Sequence, residues 1–141
     1  MKKVLLSIKS TQKIDENNDG IELVTDGMYR YEDGVAEFEY QESELTGFAG
    51  TTTRFRVEGD CVTLTRDGTL RSEMIFQEGR KHTFAYEMDD CSRTMGIDTR
   101  RLQTDLSEGG GRIEIYYNID VGNVALSKNS FEITILPDRV G

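Results

Sequence analysis

The chain has 141 residues, a length that predicts one domain over residues 1–141 with a core that needs neither disulfides nor metal. Lys and Arg number 17 against 26 Asp and Glu, and the net charge of −9 argues against nucleic acid and anionic membrane surfaces as partners. The first apolar run stops at Lys9, which is too short for a signal peptide, and no stretch has the length of a transmembrane helix. We therefore expect a cytoplasmic protein.

Short turn signals, among them Asp19-Gly20, Asp33-Gly34 and Gly122-Asn123, separate stretches in which apolar and polar residues alternate. This pattern is typical of antiparallel strands joined in sequence. Segment 43–50 is compatible with one turn of helix between two strands. The predicted strands cover residues 4–13, 21–31, 35–42, 51–58, 61–67, 69–78, 80–89, 94–105, 112–121 and 124–136.

Many of these strands are longer than the usual five or six residues. Long sequential antiparallel strands with little helix predict an all-β fold, a single antiparallel meander barrel of about 8–10 strands, because closure removes exposed sheet edges. A two-sheet sandwich is the alternative, but it usually has shorter strands and longer crossing connections.

Alternation assigns the side chains to two faces. The polar face carries Glu37, Glu39, Arg54, Arg56, Arg71, Glu73, Lys81, Glu87, Arg112, Glu114 and Glu132. The interior face collects Val4, Leu6, Ile8, Ile21, Leu23, Phe38, Tyr40, Phe55, Val57, Val62, Leu64, Leu70, Met74, Phe76, Phe84, Tyr86, Met88, Ile97, Ile113, Ile115, Tyr117, Ile119, Phe131, Ile133 and Ile135. The last strand changes phase after Leu126, which predicts a β-bulge near residues 128–130.

Several segments carry a resemblance to a known family. Residues 40–53 read Tyr-Gln-Glu-Ser-Glu-Leu-Thr-Gly-Phe-Ala-Gly-Thr-Thr-Thr, and residues 57–68 read Val-Glu-Gly-Asp-Cys-Val-Thr-Leu-Thr-Arg-Asp-Gly. With Met74-Ile75-Phe76 and Phe131-Glu132-Ile133, they resemble the YwiB-like family of small bacterial proteins over nearly the whole chain. The resemblance implies a calycin-like β-barrel, similar in shape to lipocalins, and supplies no catalytic residue. Residues 88–93 depart from the Pro-Tyr-Gly-type turn of that family, so the turn there is in doubt.

Residues 15–20 match the first half of a calcium loop, with oxygen donors at positions 1, 3 and 5 and Gly20 at position 6. Position 12 is Asp26 instead of the usual Glu, and the flanking residues alternate as strands instead of forming helices. A polar hairpin loop explains the same residues, so we expect no metal site.

His82 is the only histidine, and no serine or cysteine motif places a nucleophile beside it. Cys61 and Cys91 each follow an aspartate, which disfavours a thiolate, and we expect free thiols. We expect a hydrogen-bonded histidine at the barrel rim, no cofactor, and no catalytic residues.

Alternation also sends polar side chains inward, namely Glu42, Thr51, Thr53, Arg66, Ser72, His82, Tyr86, Thr99 and Arg101. Buried charges must be paired, so Glu42 could pair with Arg66 or Arg101 simply to stabilise one end. Alternatively, the two arginines and Tyr86 could bind an anionic or polar small molecule inside the mouth of the barrel. The candidate ligand-binding residues are therefore Glu42, Arg66, His82, Tyr86 and Arg101.

Two functions follow from this pattern, and a third, an enzyme that uses Glu42, His82 and the arginines, is the least favoured because the sequence shows no nucleophile–base pair or metal set. The first is a non-catalytic module that binds a small, partly apolar molecule in the barrel interior, which predicts an internal cavity of roughly 300 Å³ or more. The alternative is a solid barrel that acts through its outer surface, docking a partner or forming a homodimer through segment 43–50 with exposed Leu45 and Phe48.

Overall fold

The computed structural model describes residues 1–44, 46–88 and 91–137, with the side chains of Tyr86, Met88 and Cys91 left aside. The described part contains ten β-strands and no helix, so the all-β prediction is confirmed. The strands are β1 (Lys2–Ile14), β2 (Asn17–Glu32), β3 (Val35–Gln41), β4 (Thr52–Glu58), β5 (Cys61–Asp67), β6 (Leu70–Gln77), β7 (Lys81–Met88), β8 (Cys91–Ser107), β9 (Gly110–Val121) and β10 (Val124–Pro137).

The strands form an antiparallel meander that closes into a barrel. Each strand pairs with its neighbours in sequence, and β1 pairs with β10 from Val4↔Pro137 to Lys13↔Lys128. Between β6 and β7, the ladder within the described residues covers only three pairs, from Leu70↔Met88 to Ser72↔Tyr86. The predicted meander barrel is confirmed.

The up-and-down order gives the barrel two distinct ends. The connections β1–β2, β3–β4, β5–β6, β7–β8 and β9–β10 lie at one end, which we call the mouth. The connections β2–β3, β4–β5, β6–β7 and β8–β9, together with Lys2 and Pro137, lie at the other end, which we call the base. A residue near either terminus of its strand therefore lies close to the connections of the mouth or to those of the base.

The inward faces of the strands fill much of the barrel with apolar side chains. Phe38 and Phe55 stack with ring centroids 4.8 Å apart, and Phe131 meets Phe55 edge-on at 5.9 Å. Phe76 and Tyr117 extend the cluster at 4.8 Å. Burying each such side chain contributes about 1.5–3 kcal/mol, so this aromatic cluster is a main source of stability.

The alternation pattern predicted the interior correctly at nearly every described position. Tyr29, fully buried and not among the predicted interior residues, donates a hydrogen bond from its hydroxyl to the Ser107 carbonyl at 2.7 Å. Ile21 was predicted to be interior, but it is 39% exposed. The reason is that β2 pairs with β3 only from Met28 onward, so Ile21 has β1 on one side and no paired strand on the other.

The turn signals were correct at Asp33-Gly34 and Gly122-Asn123, where all four residues have positive φ. The prediction at Asp19-Gly20 was wrong, because β1 and β2 continue past it and turn at residues 15–16, with Asp15 at φ 54°. Segment 43–50 makes successive turns instead of a helix, with Gly47 N bonded to Glu44 O at 3.2 Å. Leu45 and the turn at residues 89–90 lie outside the described residues.

Two β-bulges interrupt the ladders. In β10 the register shifts between Ala125 and Ser127, slightly earlier than the predicted position at 128–130. In β8 it shifts between Thr99 and Arg101, a bulge that the sequence pattern did not predict. Each bulge moves the residues after it to the other face of the strand.

Candidate functional site

A cavity of ≈330 Å³ lies on the mouth side of the barrel and is open to solvent, since the exposed side chains of Gln12 and Leu126 belong to its lining. Its apolar wall consists of Met74, Phe84, Met95, Tyr117, Ile119, Leu126 and Phe131, and its polar lining of Ser10, Thr11, Gln12, Arg66, Ser127 and Asn129. Tyr117 and Phe131 also belong to the aromatic cluster and stack at 5.9 Å, so the cluster bounds the cavity on one side. The open cavity therefore adjoins the packed part of the interior.

Arg66 lies at the mouth end of β5, where it pairs with Thr53 of β4 and Ser72 of β6. Its guanidinium carbon lies 5.0 Å from the centroid of the Phe48 ring, a cation–π contact with the β3–β4 connection. Its Nε atom is buried and has no hydrogen-bond partner. Among the described residues, no carboxylate forms an ion pair with Arg66.

Glu42 follows β3 directly and is buried, with 7% of its surface exposed. Its Oε1 atom accepts a hydrogen bond from Thr53 Oγ1 at 2.6 Å, while Oε2 is buried without a partner. Glu42, Tyr40, Phe48 and Arg66 share a smaller cavity of ≈70 Å³. Burial, followed by the nearby Glu42 charge, raises the pKa of Tyr40, so this phenol stays protonated.

The predicted set of five residues does not form one site. The structure brings Glu42 and Arg66 together at the mouth. It places His82 near the start of β7, opposite Ile97 of β8, where His82 Nε2 lies 3.3 Å from Gln77 Oε1. Tyr86 pairs with Ser72 near the mouth, but its side chain lies outside the description.

The inward placement of Arg101 was wrong. Because of the bulge in β8, Arg101 pairs with Tyr116, which faces outward, and Leu102 takes the inward position opposite Ile115. Arg101 is consequently exposed at the outer surface. The predicted ion pair between Glu42 and Arg101 is excluded by this geometry.

Of the six polar residues that line the cavity, the sequence pattern predicted only Arg66, and the five that it missed include Ser127 and Asn129. Asn129 Nδ2 donates a hydrogen bond to Ser127 Oγ at 2.9 Å, and both residues are buried. Residues 127, 129 and 131 share one face, so extending the alternation backward from Phe131 to the bulge would have found them. Burial also raises the pKa of Tyr117, which keeps its hydroxyl as a neutral donor inside the barrel.

The acidic loop near the start of the chain provides no metal site in the structure. Residues 17–20 form the first pairs of β2, so their side chains alternate along a strand instead of converging. Within residues 1–44, 46–88 and 91–137, no group of three or more His, Cys, Asp or Glu side chains is placed to hold a metal ion. That part of the chain also contains no helix long and apolar enough to cross a membrane.

Comparisons with known proteins agree with the barrel fold and with the resemblance of the sequence to the YwiB-like family. A family model described as a domain of unknown function (DUF1934) matches residues 6–133. The chain belongs to the DUF1934 family. The "Uncharacterized beta-barrel protein YwiB" of Bacillus subtilis (strain 168) is 28% identical over 131 residues, covering 93% of this chain and 91% of that protein.

The solved structures confirm the fold of this DUF1934 member. The crystal structure of the ywiB protein from Bacillus subtilis matches with a TM-score of 0.85 and 26% identity, covering 96% of this chain and 91% of that one. The predicted membership in a YwiB-like family is therefore confirmed. The match therefore establishes the architecture of the barrel.

Proposed function

We propose that this DUF1934 barrel is a non-catalytic binding module that holds one small, partly apolar molecule in the interior, with its entrance at the mouth. The supporting observation is the cavity of ≈330 Å³, which meets the volume expected for a ligand site. Its lining combines aromatic, methionine and isoleucine side chains with a few polar groups, the usual composition of such sites. We also propose a cytoplasmic location, with which the net charge of −9 agrees.

Exposed apolar side chains beside the mouth also support this proposal. Ile14 and Ile21 near the tip of the β1–β2 hairpin are 37% and 39% exposed, and Leu126 of β10 is 47% exposed. Leu126 lines the cavity as well, so the apolar surface continues from the outside of the mouth into the interior.

The alternative function, an interaction protein with a solid core, has less support. Phe48, which was expected to be exposed for docking, packs against the Arg66 guanidinium and is partly buried. The mouth side of the barrel also carries the open cavity of ≈330 Å³. Association with a second copy remains an outcome that the same experiment detects.

Native mass spectrometry tests the proposal on protein purified without denaturation from cells that express it naturally. We expect a retained small molecule on the wild type and its loss in Ile119→Trp, which fills the cavity. Val124→Trp, at a position 70% exposed, is the matched control and should retain the molecule. A bare monomer mass for all three proteins, even after incubation with apolar compounds, would contradict the proposal, and a doubled mass would favour the alternative.

A further inference from the structure

We infer that the ligand of this cavity is an amphipathic carboxylate whose acid group binds Arg66 and whose apolar part lies against the methionine and aromatic wall. The inference rests on the proposed function and adds the chemical class of the ligand. It depends on three observations: the charge of the lining, the missing partner of Arg66, and the position of Arg66 relative to the apolar wall.

The charge of the lining is unusual for this chain. The sequence has 26 Asp and Glu residues against 17 Lys and Arg, yet the described lining of the cavity contains Arg66 and no carboxylate. Glu42 lies outside this lining, in the smaller neighbouring cavity that Arg66 also lines, where its Oε1 accepts a hydrogen bond from Thr53. The cavity therefore offers a positive charge to its contents, with no negative group in its described lining to compete.

Arg66 also differs from the arginines on the outer face of the neighbouring strand. Arg54 binds Glu39 at 2.6 Å, and Arg56 binds Glu37 at 3.3 Å and Glu58 at 3.2 Å. Arg66 has a buried Nε without a hydrogen-bond partner and, among the described residues, no ion pair. An unpaired buried donor is costly, and a carboxylate that accepts from the guanidinium would remove this cost.

The surroundings of Arg66 orient it for such a ligand. The Phe48 ring lies 5.0 Å from the guanidinium carbon and restricts the position of the group. A planar guanidinium binds a carboxylate through two parallel hydrogen bonds, a geometry that a fixed arginine favours. Met74 and Met95 lie in the same lining, and the flexible thioether side chain adapts to apolar groups of different shapes.

Isothermal titration calorimetry with decanoate and decanol separates the acid group from the apolar chain. For the wild type at pH 7.5 we expect decanoate to bind about tenfold or more tightly than decanol, the ratio typical of a hydrogen bond to a charged group. Arg66→Gln should lose this preference and keep decanol affinity, while the surface control Arg54→Gln should behave as the wild type.

The outcomes distinguish the two proposals. Equal affinity for decanoate and decanol in the wild type, or a preference for decanoate that survives in Arg66→Gln, would overturn the carboxylate inference and leave the binding module standing. Binding of neither compound to the wild type would count against both. Arg66→Lys keeps the positive charge but lacks the planar set of N–H donors of a guanidinium. We therefore expect this variant to retain part of the preference for decanoate over decanol.

A measurement on the wild type covers the event that the Arg66 variants fail to fold. The carboxyl carbon of labelled decanoate reports its ionisation by NMR. Contact with a guanidinium stabilises the carboxylate, so we expect the bound acid to remain ionised down to about pH 5.5. A bound acid that becomes protonated near neutral pH, as desolvation without a cation predicts, would overturn the inference.

Discussion

The packed layer of the barrel, formed by Phe38, Phe55, Phe76 and Phe131, contrasts with the mouth around Arg66. In the packed layer three of the four rings are fully buried and Phe131 is 5% exposed, and each contacts at least one other ring. At the mouth, the same alternation directs Arg66, Glu42 and Ser72 inward, and each has a buried polar atom without a hydrogen-bond partner. The comparison indicates that the packed layer supplies stability, whereas the unpaired polar atoms at the mouth cost stability, as expected if they serve the proposed ligand.

The largest expected effect comes from removing a ring of the packed layer. Phe55→Ala should lower the free energy of unfolding by about 3–5 kcal/mol, because the site loses both the transfer free energy and its packing contacts. Met95→Ala, at a partly buried position beside the cavity, should cost less than about 2 kcal/mol. Urea denaturation measures both, and equal losses would contradict the difference between the two regions.

The next largest effect on stability is expected at Gly27 of β2, where β1 and β3 both approach closely. A Cβ atom added at Gly27 would lie 2.5 Å from Leu6 Cδ1 and 2.7 Å from the Glu39 carbonyl, whereas one at Gly20 meets nothing closer than 3.6 Å. Gly27→Ala should therefore destabilise the barrel by about 1–3 kcal/mol, as overpacking does, and Gly20→Ala should not. Thermal unfolding of the two variants measures this difference. A Gly27→Ala protein as stable as the wild type would show that β1, β2 and β3 pack less closely at this point than the structure indicates.

Alkaline pH tests the burial of a tyrosine. Burial raises the pKa of Tyr29 to about 12, so the folded state holds this proton more tightly than the unfolded chain, whose tyrosines titrate near 10. The Tyr29 hydroxyl therefore makes its full contribution to the free energy of unfolding below about pH 10, and this contribution is lost as pH rises towards 12. We expect Tyr29→Phe to flatten the loss of stability over this range, measured by urea unfolding at several pH values; an unchanged slope would contradict the burial effect.

The smallest expected effect is at Arg66. Arg66→Met removes a cation that lacks an anionic partner in the described structure, so we expect the unfolding free energy to change by less than about 1 kcal/mol or to rise. The matched change Arg54→Met removes a surface ion pair, which is worth about 0–1 kcal/mol, and should be equally mild. A large loss at Arg66 alone would mean that this arginine supports the fold.

Most of the fold was predictable because period-2 alternation directly records which face of a strand is buried. Residues such as Leu6, Phe55 and Ile115 are interior for that reason. The bulge after Thr99 was not predictable, because one extra residue within a strand leaves no turn signal in the sequence. This bulge alone moved the side chain of Arg101 from the predicted inward face to the outer face of the strand. The contact between Phe48 and Arg66 also depends on how a long connection folds back over the mouth, which local pattern does not encode.

The central claim, that the mouth side of the barrel holds a ligand, is tested most directly by methyl NMR. The chain has five methionines, of which Met74 and Met95 line the cavity and Met28 is 36% exposed elsewhere. On titration with decanoate we expect saturable shifts of the Met74 and Met95 methyl resonances and a constant Met28. Unchanged Met74 and Met95 resonances at saturating decanoate would contradict the account.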